Sequence, residues 1–317
     1  MTARRGAACG DGYAGAMVNG REQVSGGHDH AHSTPSVSVR MRTAMPGLTP
    51  AERKIARAIL ASYPLAGLEP IADLAGAAGV SAPSVVRFAR TLGFDGYRGL
   101  QEALKVEMRE REASNLSQAQ VRVPGDEPVF DAARQGYHAG IDETFDSVIG
   151  DELDRAVALL VQTKRTLALA GSTYTGYIAD IFHAQLAPAR PRVTRLSSSP
   201  LLAASQLIDL GRGDILVAFD VRRYDPTLTE AVRIGKELGL TTLVFTDLWL
   251  SPAATLADHV LTADVRASGP ADTLAPMLAL VEAVSELVAT GLGEDSVRRL
   301  ARVDPVRLRL QGDAGRE

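Results

Sequence analysis

Residues 79–97 read GVSAPSVVRFARTLGFDGY, and the fold of the N-terminal part turns on them. Gly79 ends a short helix and supplies a tight turn. Ser81 is placed to cap a following helix, predicted from Ala82 to Leu92 and stopped by Gly93. On that helix Val85, Phe88, Ala89 and Leu92 share one face, while Ser84, Arg87 and Thr91 share another with Arg90 beside them. Upstream, Thr49, Pro50 and Glu52 spell a capped helix start, with Ile55, Ala56, Ile59 and Leu60 on its inner face and Pro64 at its end. A second short helix begins near Pro70 and turns Ile71, Leu74, Ala75 and Ala78 inward. Two short helices joined by Ala78-Gly79-Val80-Ser81 have the form of a helix-turn-helix, whose second helix lies in the major groove of DNA. Arginine bonds two acceptors on a guanine edge, and serine or threonine bonds bases or phosphates. Ser81, Ser84, Arg87, Arg90 and Thr91 are therefore the DNA-contacting candidates, with Tyr97 and Arg98 just past the helix as a phosphate clamp. The alternative is a helical interaction module whose arginines merely keep a surface wet.

Working outward, 317 residues suit two ordinary domains. The net charge of −4 argues against an all-basic surface but not against a basic face. One cysteine, Cys9, allows no internal disulfide and fits a reducing compartment. No apolar run follows Arg4 and Arg5, and the most apolar helix, Leu274 to Leu292, carries Glu282 and Glu286. The expectation is a cytoplasmic protein without membrane attachment. Residues 1–45 show no periodic apolar face and read as a disordered tail. His28, His30 and His32 alternate within it, but tail histidines lack the supporting bonds that fix a metal ligand, so no metal is expected. The remaining boundaries are a helix-turn-helix domain over 46–113, a linker over 114–128, a ligand-sensing domain over 129–292 and a C-terminal extension over 293–317.

Within 129–292, short apolar runs alternate with helical stretches: Thr166–Ala170, Arg192–Leu196, Ile215–Phe219, Thr242–Phe245 and His259–Thr262. The fold class is thus an all-α helix-turn-helix domain followed by a doubly wound, five-stranded parallel α/β sheet. In such sheets ligands bind beyond the carboxyl ends of the strands. Those ends supply Gly171, Ser172, Thr173 and Thr175, then Ser197 and Ser198, then Arg222 and Arg223. Glycine lets backbone approach a ligand, small hydroxyls before a helix suit an anion, and arginine pairs with carboxylate or phosphate. The same serines and threonines also serve as ordinary helix caps, and Arg222, Arg223 and Tyr224 equally suit a subunit interface.

The stretch LTPAERKIARAIL…IADLAGAAGVSAPSVVRFARTLGFDGYRGLQEAL, spanning Leu48 to Leu104, resembles the N-terminal domain of the MurR/RpiR family of transcription regulators. LALAGSTYTGYIADIF (167–182), RGDILVAFDVRRYDPTLTEAVRIGKELG (212–239) and TLVFTDLWLSPAATLADHVL (242–261) resemble successive parts of the SIS (sugar isomerase) domain that follows it in that family. The resemblance implies a regulator with a double-stranded DNA operator and a phosphosugar or other carbohydrate derivative as effector. The chain departs from the family where a Ser-rich stretch usually follows the middle strand. Asp220-Val221-Arg222-Arg223-Tyr224 stands there instead, which keeps an anionic effector but puts the usual sugar phosphate in question. Helix-turn-helix proteins read paired half-sites, so a homodimer or homotetramer is expected. The alternative function is a sugar-phosphate isomerase with an accessory helical domain. It needs a placed acid–base pair, for which His183, Glu282 and Glu286 are the candidates. No nucleophile elbow, P-loop, dinucleotide fingerprint or zinc spacing appears, so neither enzyme activity nor a cofactor is expected.

Overall fold

The computed structural model describes residues 35–121, 128–267, 269 and 271–312. Five helices build the N-terminal half: α1 (Val37–Ala44), α2 (Pro50–Ala61), α3 (Ile71–Ala78), α4 (Ala82–Thr91) and α5 (Gly96–Glu112). Then come α6 (Asn115–Val121), α7 (Val129–Ser147) and α8 (Gly150–Leu160). The α/β region runs β1 (Leu167–Gly171), α9 (Gly176–Ala189), β2 (Val193–Arg195), α10 (Pro200–Ile208), β3 (Ile215–Asp220), α11 (Pro226–Glu237), β4 (Thr241–Asp247), α12 (Pro252–Leu256), β5 (His259–Ala263), α13 (Ala275–Leu292) and α14 (Glu294–Leu310).

The five strands are all parallel, in the order β2-β1-β3-β4-β5. Each predicted strand is found, with its ends moved by at most two residues. Chain direction across the sheet reverses between β1 and β3, which makes the ends of those two strands the natural crevice. Alternation along the strands divides the interior in two. Leu167, Leu169, Ile215, Val217, Phe219, Leu243 and Phe245 face α9 and α13, where Phe182 meets Phe219 edge-on at 5.8 Å. α13 is long and apolar enough by composition to cross a membrane. Its Met277, Leu280, Val281, Val284 and Val288 are instead buried in that layer. On the other face Ala168, Ala170, Leu216, Ala218 and Val244 form one continuous apolar cluster with Met41, Ile55, Phe88 and Leu100 of the helical half.

The helix-turn-helix forms for the reasons its sequence states at α2 and at the turn, but Ser81, at the N-cap of α4, makes no side-chain cap bond because its hydroxyl meets Ser84 Oγ instead. Thr49 and Glu52 close a reciprocal capping box ahead of Pro50. Gly79 takes the left-handed conformation (φ 62°, ψ 45°), with its N–H on Ala75 and Gly76 and the N–H of Val80 also on Ala75.

One boundary is corrected. The tail over 1–45 is not disordered from Ser36 onward. Ser36 caps α1, and Val37 and Met41 are 2% and 0% exposed. Arg40 turns inward, stacking 4.9 Å from the Phe94 ring and donating to the Leu92 carbonyl. Ser38 Oγ donates to the Leu248 carbonyl, and Arg42 reaches Glu152 and the Val260 carbonyl of the sheet region. Eight residues with three scattered apolar side chains cannot order themselves; burial between two other elements supplies what the segment lacks. The rest of the tail, with His28, His30 and His32, lies outside the described residues. The linker stretch over 114–128 carries α6, and residues 122–127 lie outside the described set. The C-terminal extension carries α14, tied to α9 by Arg299 on the Ala187 carbonyl.

Candidate functional site

The first candidate surface is α4. Val85, Phe88 and Ala89 are fully buried, so the helix is fixed on one side, and Arg87 and Arg90 stand exposed on the other. Ser81 Oγ and Ser84 Oγ lie 2.9 Å apart, and Arg87 Nη2 donates to Ser84 Oγ at 2.9 Å. Ser84 is buried, so it orients Arg87 rather than meeting a partner itself. Thr91 is exposed and donates to Glu52 Oε1 at 2.7 Å; that bond is the largest cause holding Glu52 below the ordinary carboxylate range. Arg98 is exposed. Tyr97 is not a phosphate clamp. It sits in the first turn of α5, 8% exposed, with its hydroxyl placed to donate to the carbonyls of Glu69 (2.7 Å) and Gly67 (3.0 Å). Its ring completes the three-helix core, which neighbouring Arg98 does not enter.

The second candidate surface is the carboxyl end of the sheet. Gly171 is required there for steric reasons: a Cβ would lie 2.8 Å from the Gly176 backbone, because the loop after β1 folds directly onto the start of α9. Thr175 is 1% exposed and braces that loop, donating to the Phe219 carbonyl and accepting from the Ser172 N–H at 3.0 Å. Thr173 is exposed and Ser172 half-buried. Beyond β2, Ser197 donates its N–H to Gln206 and accepts from the Ser199 N–H, while Ser198 is exposed.

Arg222 and Arg223 differ sharply from each other. Arg222 is 7% exposed. Its guanidinium pairs with Asp272 through Nε and Nη2, donates through Nη1 to the Glu110 carbonyl at the end of α5, and stacks 4.9 Å from the Trp249 ring. Burial, followed by the neighbouring Arg223 charge, lowers its pKa. Arg223 has φ +70° and a side chain 45% exposed; it reaches Asn115 at the start of α6 and, at 3.2 Å, the same Asp272. Tyr174 donates to the Asp272 carbonyl at 3.1 Å, joining the β1 loop to this cluster.

Two carboxyls at the strand ends escaped the sequence reading. Burial pushes Asp220 up to about 7 and Asp247 up to about 6. Asp247 accepts from the N–H groups of Arg222 and Trp249 and from the Tyr224 hydroxyl, so it shapes the loop around the arginines. Asp220 Oδ2 is the one buried side-chain oxygen among the described residues without a hydrogen-bond partner. Their position at strand ends was a usable signal, which Trp249, two residues past β4, shares; Asp272 gave none, since it lies nine residues beyond β5. The proton-transfer candidates are elsewhere. His183 faces the Val193 carbonyl at the opposite end of β2, and Glu282 and Glu286 are exposed on α13.

The helix-turn-helix domain model of the rpiR family matches residues 37–111, and the SIS domain model matches residues 159–287. Over 276 residues the chain is 26% identical to an uncharacterized HTH-type transcriptional regulator of Caldanaerobacter subterraneus, covering 84% of this chain and 95% of that one. It is 27% identical over 259 residues to the HTH-type transcriptional regulator HexR of Pseudomonas aeruginosa, covering 80% and 87% respectively. The sugar isomerase domain of an RpiR transcription factor from Sphaerobacter thermophilus superposes with a TM-score of 0.53 at 21% identity, covering 56% of this chain and 99% of that one.

Proposed function

The chain belongs to the RpiR family of helix-turn-helix transcription regulators with a SIS domain, and on that premise we propose that it binds a duplex operator through α4 and answers to an anionic small molecule at the carboxyl ends of its strands. The observation that carries the DNA half is the division of α4 into a fully buried apolar face and an exposed face holding Arg87 and Arg90, with Ser84 orienting Arg87. Such a helix is fixed to its domain and open to a groove. Ser81, Thr91 and Arg98 border the same surface and suit phosphate contacts.

Gly171, Ser172, Thr173, Thr175, Ser197, Ser198 and the two arginines frame the effector region at the point where strand order reverses. Thr175 and Arg222 shape it, while Ser172, Thr173, Ser198 and Arg223 are accessible to a ligand. A phosphosugar or related carbohydrate derivative fits that donor set. The working unit is a cytoplasmic homodimer or homotetramer, because a two-fold operator calls for two recognition helices. Selection from a random duplex library is expected to enrich a two-fold motif. Arg87→Ala is expected to weaken binding to it by about 1–3 kcal/mol and to relax one base position. A library that yields no enriched motif overturns the reading.

A further inference from the structure

Between the two halves of the molecule lies a cleft of about 330 Å3, lined by Arg111, Glu112, Ala113, Ser114, Arg223 and Tyr224. It is formed by the end of α5, the short connection to α6 and the loop after β3. Two guanidinium groups border it. Arg111 lies 4.8 Å from the Tyr224 ring centre and donates to the Tyr63 carbonyl at 3.0 Å, which holds its plane in place. Arg223 is the accessible one, and its partners are poor matches for its charge. The Asp272 side chain is 2% exposed and already pairs with Arg222, so two guanidinium groups share one carboxylate. The other partner, Asn115 Oδ1, is a neutral amide oxygen. An anionic oxygen adds the attraction of opposite charges and, with a second oxygen, a bidentate fit to the guanidinium fork, neither of which a single amide oxygen offers. The left-handed backbone at Arg223 (φ +70°) holds this side chain at the cleft in a conformation that residues other than glycine seldom adopt.

We propose that this cleft binds a small molecule bearing a phosphate or carboxylate group, held by Arg223 with Arg111 beside it, and that Asn115 competes with that group for Arg223. The inference rests on reading the C-terminal half as an effector-sensing domain, and it gives that domain a route to the DNA-binding half. Asn115 and Gln118 anchor α6 on Arg223 and Asp272, and Arg222 grips the carbonyl of Glu110 at the end of α5. An oxyanion on Arg223 displaces the start of α6 and redistributes the charge around Asp272. The change is thereby delivered to α5, the helix that follows the recognition helix. Trp249, the single tryptophan of the chain, lies against Arg222 and reports it optically.

The test uses the full chain and two probes, inorganic phosphate and succinate, titrated by calorimetry at constant ionic strength into wild type, Asn115→Ala, Asn115→Asp, Arg223→Ala and Arg223→Lys. For at least one probe, Asn115→Ala is expected to bind severalfold tighter. Asn115→Asp is expected to bind about tenfold weaker, because a tethered carboxylate occupies the arginine at high effective concentration. Arg223→Ala should lose binding and Arg223→Lys recover little of it, since an ammonium offers no planar fork. Trp249 emission should change on titration of the wild type. Equal affinities for wild type and both Asn115 variants overturn the competition. Unchanged binding by Arg223→Ala, or no binding of either probe by any form, overturns the cleft. Operator binding measured on the same samples tests the regulator reading separately, so the two failures are distinguishable.

Discussion

The arginines of α4 and Arg222 of the loop after β3 share one chemistry and stand in opposite surroundings. Arg87 and Arg90 rise from a buried apolar helix face into solvent. Arg222 is enclosed by a carboxylate, a backbone carbonyl and an indole ring from three separate elements. A guanidinium left outside is available to an external anion. One taken inside must have its charge and N–H groups met by the protein, and it then fixes the geometry of whatever meets them. The first kind suits recognition; the second ties the SIS domain to α5, the last helix of the helix-turn-helix domain.

The largest expected effect comes from the seam between the halves. Removing residues 1–45 strips Val37 and Met41 from the shared core and takes the Val37 N–H from Glu107. Each apolar side chain is worth about 1.5–3 kcal/mol, so urea denaturation should show a loss of several kcal/mol. An unchanged midpoint means that α1 is not part of the domain. Next in size, Arg222→Ala leaves Asp272 buried with a weaker partner and should cost about 3 kcal/mol, read as a lower Tm. Arg222→Met combined with Asp272→Asn should restore much of it; if it does not, the stack on Trp249 matters more than the ion pair.

The pH dependence is a smaller test of the same seam. Burial raises Glu107 from the ordinary 4.5 to about 7, and the Tyr63 hydroxyl and the Val37 N–H that donate to it only partly oppose this. The folded protein therefore keeps a proton that the unfolded chain releases. This contribution is complete below about pH 4.5 and is lost as pH rises through about 7. Asp220 and Asp247 act in the same direction. Glu107→Gln should be more stable than wild type by roughly 2 kcal/mol above about pH 8 and nearly equal to it in mild acid. Parallel Tm–pH curves for the two proteins would remove Glu107 from the account. Smallest is the contrast between two adjacent residues of α5. Tyr97→Phe should cost about 1 kcal/mol of stability and leave operator binding alone. Arg98→Ala should keep the Tm, weaken binding to all sequences alike and lower the salt slope by about 1. An unaltered salt slope places Arg98 off the DNA.

What was legible in the chain follows from the range of the interactions involved. The capping box at Thr49, the turn at Gly79 and the inner face of α4 depend on residues within a few positions of one another, so their pattern survives in the sequence. The strands were legible for the same reason, as short apolar runs between helical stretches. Tyr97 and Arg98 show where local reading stops. Both follow α4, and only the carbonyls of Gly67 and Glu69, some thirty positions away, decide that the tyrosine turns inward.

The sequence by itself determined the two domain types, the order of the five strands and the face of α4 that carries arginine, because helix periodicity, caps and turn residues act over one or two turns of chain. Tertiary structure alone decided that Val37–Ala44 is a helix sealing two halves together, that Asn115 and Gln118 of α6 meet Arg223 and Asp272, and that Arg222 is internal while Arg223 is accessible. Those outcomes depend on Leu248, Glu107, Trp249 and Asp272, residues far away in the chain whose burial and charge act only once folding has brought them together.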